Sequence, residues 1–178
     1  MRRYFHIICS LLLVISSACS LRPNLGVGSP LDLGSSSENS VTAAITLELD
    51  YAGQVWLAAT FTPLEPDTHI YSKDLPRDGV DGLGRPSLLE LVPGSQMQAV
   101  GPLVESILAS ETDLDGLLVY PAGPVTLRLP VVLPPGDGWM EENVLVTYMA
   151  CGNGSCRPPV IGKIISIRVP GAESVLKP

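Results

Sequence analysis

Residues 144–169 read VLVTYMACGNGSCRPPVIGKIISIRV, and this stretch decides how the rest of the chain is to be read. Val144, Val146 and Tyr148 alternate with Leu145, Thr147 and Met149, and 160–169 is again rich in β-branched residues, so both arms read as strands. Between them, Gly152-Asn153-Gly154-Ser155 contains the Asn-Gly pair that supplies the positive φ angles of a tight turn. The expectation is a β-hairpin with Cys151 and Cys156 at the two ends of its loop. Such a loop is able to bring two sulfurs within bonding distance.

The surroundings of the pair leave three roles open: a structural bridge, a redox-active pair, or part of a metal site. A disulfide that closes so short a loop removes little entropy from the unfolded chain, so stability is a weak motive for it. Arg157, beside Cys156, is placed to favour a thiolate there. Pro158 and Pro159 withhold two backbone donors and limit strand pairing right after the second cysteine.

The amino terminus sets the compartment. Arg2-Arg3, an apolar run over 7–15 and the small residues Ser16, Ser17 and Ala18 form a secretory signal over 1–18, too short to span a bilayer as a mature helix. Cleavage after Ala18 would make Cys19 the first residue, as in a bacterial lipoprotein, and a lone cysteine in a secreted chain asks for such an explanation; Ser16 stands where a lipobox usually carries leucine, and Ser-x-Ala also suits ordinary signal peptidase. The expected localisation is extracytoplasmic, in the periplasm or cell envelope, with the membrane reached by a lipid anchor on Cys19 only. Cys9 leaves with the signal, so two cysteines remain for the fold.

Loss of Arg2 and Arg3 takes the net charge from -7 to -9, which argues against a nucleic-acid surface. About 160 residues remain, enough for one domain with a real core. Residues 19–40 read as a flexible tether, since Ser, Gly, Pro and Asn dominate. The domain is expected over 41–171, with 172–178 as a tail. Within it, 42–50, 54–62, 68–72, 87–92, 125–133, 143–151 and 156–169 are short β-prone runs separated by Pro, Gly and Asp. Val125, Leu127, Leu129, Val131 and Leu133 alternate most cleanly. About seven such runs predict an all-β chain, an immunoglobulin-like antiparallel β-sandwich. Residues 103–109 are the one place where a turn or two of helix is expected, and no internal repeat is present.

Tyr148-x-Ala-Cys-x4-Cys-x-Pro-Pro159, with His69-Ile70-Tyr71-Ser72 far upstream and the strand over 125–133, resembles the amino-terminal periplasmic domain of the thiol:disulfide interchange protein DsbD. The resemblance spans about 41–170. It implies an immunoglobulin-like fold whose cysteine pair, here Cys151 and Cys156, receives electrons from membrane-embedded and thioredoxin-like parts and hands them to oxidised envelope proteins. It further implies that the second cysteine meets the partner, that Tyr71 supports the pair, and that no cofactor is needed beyond the cysteines themselves. Members of that family continue into a membrane domain and a thioredoxin-like domain, whereas this sequence stops at Pro178. The expected partner is therefore a thioredoxin-like or DsbD-type membrane redox protein acting in trans. An anchored immunoglobulin-like interaction domain with a purely structural hairpin disulfide is the alternative.

Other residues carry weaker signals. The stretch 101–116, with Glu105, Glu111, Asp113 and Asp115, lies where that family has a cap loop over its cysteines, but lacks the characteristic cap aromatic. Read by itself it is a solvated loop. Tyr71 read by itself is a core tyrosine with a satisfied hydroxyl. Asp74, Asp78 and Asp81 lie in a Gly-rich loop but do not follow the EF-hand spacing. His69 is the only histidine after the signal, so neither a zinc site nor a Ser-His-Asp triad has support. No metal is expected. Trp56 and Trp139 read as packing residues.

Overall fold

The alternating runs become the long strands of the computed structural model, which describes residues 25–175. The signal, Cys19, the first part of the expected tether and residues 176–178 lie outside the described residues. In chain order the elements are β1 (Leu31–Glu38), β2 (Val41–Leu49), β3 (Val55–Pro63), β4 (His69–Ile70), β5 (Leu88–Leu91), β6 (Gln98–Ala99) and β7 (Val104–Glu105). There follow β8 (Ser110–Glu111), β9 (Leu118–Val119), β10 (Val125–Val132), β11 (Trp139–Tyr148), β12 (Ala150–Gly152), β13 (Ser155–Cys156), β14 (Val160–Pro170) and a single helical turn, α1 (Ala172–Val175).

The larger sheet runs β1-β2-β3-β10-β6, with β7 also on β10, and every pairing in it is antiparallel. The facing sheet runs β14-β11-β5. Val41, Ala43, Ile45, Leu47, Leu57, Ala59, Phe61, Val125, Leu127 and Val131 line the inner face of the first, and Leu89, Val144, Val146, Tyr148, Ile165, Ile167 and Val169 that of the second. Burying each large aliphatic or aromatic side chain here contributes about 1.5–3 kcal/mol relative to exposure. The result is the expected all-β, immunoglobulin-like antiparallel sandwich. Among the described residues no helix is long and apolar enough to cross a membrane.

Sequence and structure part at three places, one of them the expected tail, where α1 packs Ala172 and Val175 against the core. Residues 31–38, read as tether, form β1, and Asn39 and Ser40 turn the chain into β2 with φ of 48° and 61°. A backbone ladder is indifferent to Ser and Gly side chains, and Leu31 and Leu33 supply enough apolar contact with the core to hold the strand. The sheet thus begins ten residues before the expected boundary. Residues 103–109 contain no helix: Val104 and Glu105 form β7 against Leu127 and Arg128 of β10, and a bend follows.

Pro130 explains the broken edge of the larger sheet. In an antiparallel strand a residue's N–H and C=O point to the same side. The Pro130 carbonyl accepts from the Val100 N–H at 2.9 Å, so the position where its own N–H is missing also faces the β6–β7 side. There the chain lifts off the ladder between β6 and β7, and a Cβ on Gly101 would lie 2.8 Å from the Pro130 ring. No ladder donor is wasted on the β3 side.

Candidate functional site

The hairpin forms as its turn residues require. Asn153 and Gly154 both have positive φ, 49° and 75°, as a two-residue turn with matching strand twist demands. This places Cys151 directly opposite Cys156 across β12 and β13. The two sulfurs are bonded, with Cα atoms 4.0 Å apart.

The two sulfurs differ in their environment. Cys151 is 6% exposed and belongs to a small apolar cluster with Tyr71, Leu75 and Leu117, apart from the main core. Cys156 is exposed. The Tyr71 hydroxyl lies 3.0 Å from Cys151 Sγ and 3.9 Å from Cys156 Sγ. Burial pushes the Tyr71 phenol above its ordinary pKa, so it stays protonated and able to donate.

Tyr71 is held from several sides. Its carbonyl accepts from the Ser87 hydroxyl at 2.7 Å, and Gly84 packs so closely that a Cβ there would lie 2.8 Å from the ring. Gly84 also has a φ of +73°, which a side chain would oppose. The Gly-rich loop thus serves as a backstop for Tyr71. Asp74 in that stretch pairs with Lys73, and among the described residues no three His, Cys, Asp or Glu side chains gather as metal ligands.

The stretch 101–116 does reach the site. β8 and β9 form a short hairpin whose second strand is tied to the site by Ser72 N–H to Leu118 O at 3.0 Å and Tyr120 N–H to Ile70 O at 2.9 Å. Tyr120, 1% exposed, donates its hydroxyl to Glu105 at 2.5 Å and accepts from the Lys73 N–H at 3.1 Å. Burial first, then the Glu105 carboxylate, raises its pKa. Thr112, Leu117 and Val119 of this hairpin, with Asp67, His69, Tyr71 and the 151–156 loop, line an open cleft of about 410 Å³ into which both cysteines face. Of the stretch 101–116 only Thr112 lines the cleft; the apolar Leu117 and Val119 that face it follow that stretch.

Arg157 departs from the expectation for it. Its guanidinium pairs with Glu65, 92 residues away, and it does not line the cleft. Arg157, then the Ser40 hydroxyl, hold the Glu65 carboxyl below the usual range. Asn39 donates to the Pro158 carbonyl at 2.8 Å. The β1–β2 turn, from the supposed tether, therefore braces the outer arm of the cysteine hairpin.

In the sequence His69 figures in the His69-Ile70-Tyr71-Ser72 pattern and as a candidate metal ligand or triad member, but its place opposite Cys151 is not legible there. The signal for it is strand register, which emerges only once β4 is paired with β12.

No protein-family model matches the chain, and no curated protein does. Among solved structures, it is similar to the N-terminal domain of DsbD from Neisseria meningitidis in the reduced form, at 17% identity and a TM-score of 0.41, over 65% of this chain and 76% of that one. It is also similar to the N-terminal periplasmic domain of ScsB from Proteus mirabilis, at 15% identity and a TM-score of 0.49, over 80% of this chain and 52% of that one.

Proposed function

We propose that this chain is an extracytoplasmic thiol:disulfide exchange module. In this reading Cys151 and Cys156 relay two electrons from a thioredoxin-like or membrane-embedded donor, acting in trans, to oxidised envelope proteins. The observation that carries the reading is the asymmetry of the bonded pair. One sulfur is buried against a phenol and the other stands exposed at the mouth of a cleft. Exchange needs one reachable sulfur for the partner and one shielded sulfur to resolve the mixed disulfide. The sequence resemblance to the DsbD amino-terminal domain supports the same assignment, with Cys156 as the partner-facing residue and Tyr71 as the supporting one. Arg157, engaged by Glu65, serves in this reading to hold the hairpin in place.

The test is the reduction potential of the pair. The expected value lies in the range of known oxidoreductases, about -120 to -270 mV, and a value below about -300 mV would support a bridge that only braces the hairpin.

Residues 1–18 and Cys19 complete the proposal as a signal and an acylated anchor. The mature protein is then expected to partition into detergent, and Cys19→Ala to release it or block its processing, since stable attachment needs acyl chains. An unmodified amino terminus in the mass spectrum removes the anchor.

A further inference from the structure

Strand register sets three side chains in one row. In the small sheet β13-β12-β4, Cys156 is opposite Cys151, and Cys151 is in turn opposite His69. Directly opposed residues of antiparallel neighbours project to the same face, with Cβ atoms about 4.5–5.5 Å apart. The imidazole therefore stands beside Cys151, on the side away from Cys156. Tyr71, two residues further along the same chain segment, returns to that face. Its ring meets the imidazole edge-on, with centroids 5.6 Å apart and planes at 78°.

The cleft contains little else that titrates. Its lining supplies Asp67, His69, Tyr71 and the two cysteines, while Thr112, Leu117 and Val119 from the facing hairpin and the 152–155 turn carry no charge. Asp67 is exposed to solvent. Burial lowers the pKa of His69, so at neutral pH its imidazole is unprotonated and able to accept a proton. Tyr71 remains a donor, so the two side chains near Cys151 have complementary capacities.

We infer that His69 is the proton acceptor for the Cys151 thiol in the resolving step of disulfide exchange. This rests on the relay reading above. The Cys156 thiol loses its proton to solvent, and its thiolate attacks a partner disulfide. One partner thiolate leaves, and a Cys156–partner disulfide remains. His69 then takes the proton from Cys151 Sγ, while the Tyr71 hydroxyl donates to the thiolate so formed. The thiolate attacks Cys156 Sγ, so the Cys151–Cys156 bond forms and the bond to the partner breaks. The departing partner sulfur recovers the proton from the imidazolium. Two electrons have passed from the cysteine pair to the partner disulfide, and His69 is neutral again.

The experiment mixes the reduced mature protein with dithiobis(nitrobenzoate), an aromatic disulfide that releases a coloured thiolate at each attack. The first release reports attack by Cys156 and the second reports displacement by Cys151. In wild type the second release is expected to rise with pH through the imidazole range. In His69→Gln its midpoint should move toward that of an ordinary thiol, about 8.5, with a rate at neutral pH lower by about tenfold or more, while the first release is nearly unchanged. The far-UV circular dichroism of His69→Gln, matching wild type, checks that the variant is folded. Equal second phases and equal midpoints in the two proteins overturn the role of His69 and leave the relay standing. Absence of a second release in wild type overturns both. A readout independent of the variant is the NMR titration of the His69 imidazole in wild type. Its midpoint must differ between the oxidised and reduced protein, and an unchanged midpoint refutes the inference.

Discussion

With a thioredoxin-like partner, Cys151→Ser is expected to accumulate a covalent adduct through Cys156, and Cys156→Ser to accumulate about tenfold less, because trapping requires a reachable attacking sulfur and loss of the resolving one. The physical basis is the unequal shielding of the pair. Cys156 sits exposed after the Asn153-Gly154 turn, whereas Cys151 is 6% exposed and lies under the Tyr71 hydroxyl. A partner that docks in the cleft meets Cys156 first. The measurement is the yield of mixed disulfide after acid quench and non-reducing separation. Equal yields from both mutants defeat the assignment of roles. No adduct from either, together with a pair that resists reduction in the folded protein, favours the bracing role instead.

Phe61→Ala is expected to lower stability by about 3–5 kcal/mol, the usual range for an aromatic removed from a packed core. Phe61 is 0% exposed and meets the Tyr148 ring edge-on, with centroids 5.4 Å apart. It sits on β3 between Ala43 of β2 and Val125 of β10, strand neighbours too small to fill the space it would leave. Tyr148 depends on this contact. Burial first, and then the nearby Glu38 carboxylate, push its phenol up to about 12, and its hydroxyl donates to the Glu38 carbonyl at 3.0 Å. Tyr148 leads within three residues to Cys151, so the same cavity loosens the inner arm of the hairpin. Urea unfolding with the disulfide intact measures the loss. A loss below about 1 kcal/mol would show that the Phe61–Tyr148 contact is not a structural centre.

The sandwich was legible where strands are long and one face is buried. Val125, Leu127, Leu129 and Val131 alternate in the sequence and lie on the inner face of β10, and Val144, Val146 and Tyr148 do the same in β11. β1 was not legible, because Ser35, Ser36 and Ser37 take part through their backbone, and composition reports only side chains. Two-residue strands such as β6, β8 and β9 have no period to detect. Their order comes from partners far along the chain.

The site divides in the same way. The cysteine pair and its turn are local and could be read directly, and Tyr71 was found through the His-x-Tyr pattern. The pairing of Arg157 with Glu65 spans 92 residues, so adjacency to Cys156 was a poor guide to where its charge goes. His69 posed the converse problem. It lies 82 positions from Cys151 in sequence and directly across from it in the sheet, and no residue-type pattern announces a register.

The broken edge at Pro130 has a consequence for how copies of the protein meet. An unpaired strand is a template on which another chain can extend a sheet, and proteins held at high local density are exposed to that hazard. On the outer side of β10 an incoming strand finds its ladder positions already taken by β6 and β7, each two residues long, with the gap between them lying where proline offers no N–H. The two short strands work as stoppers rather than as extensions of the sheet. Resistance to polymerisation along this border is thus written into one proline and the four residues that flank its gap.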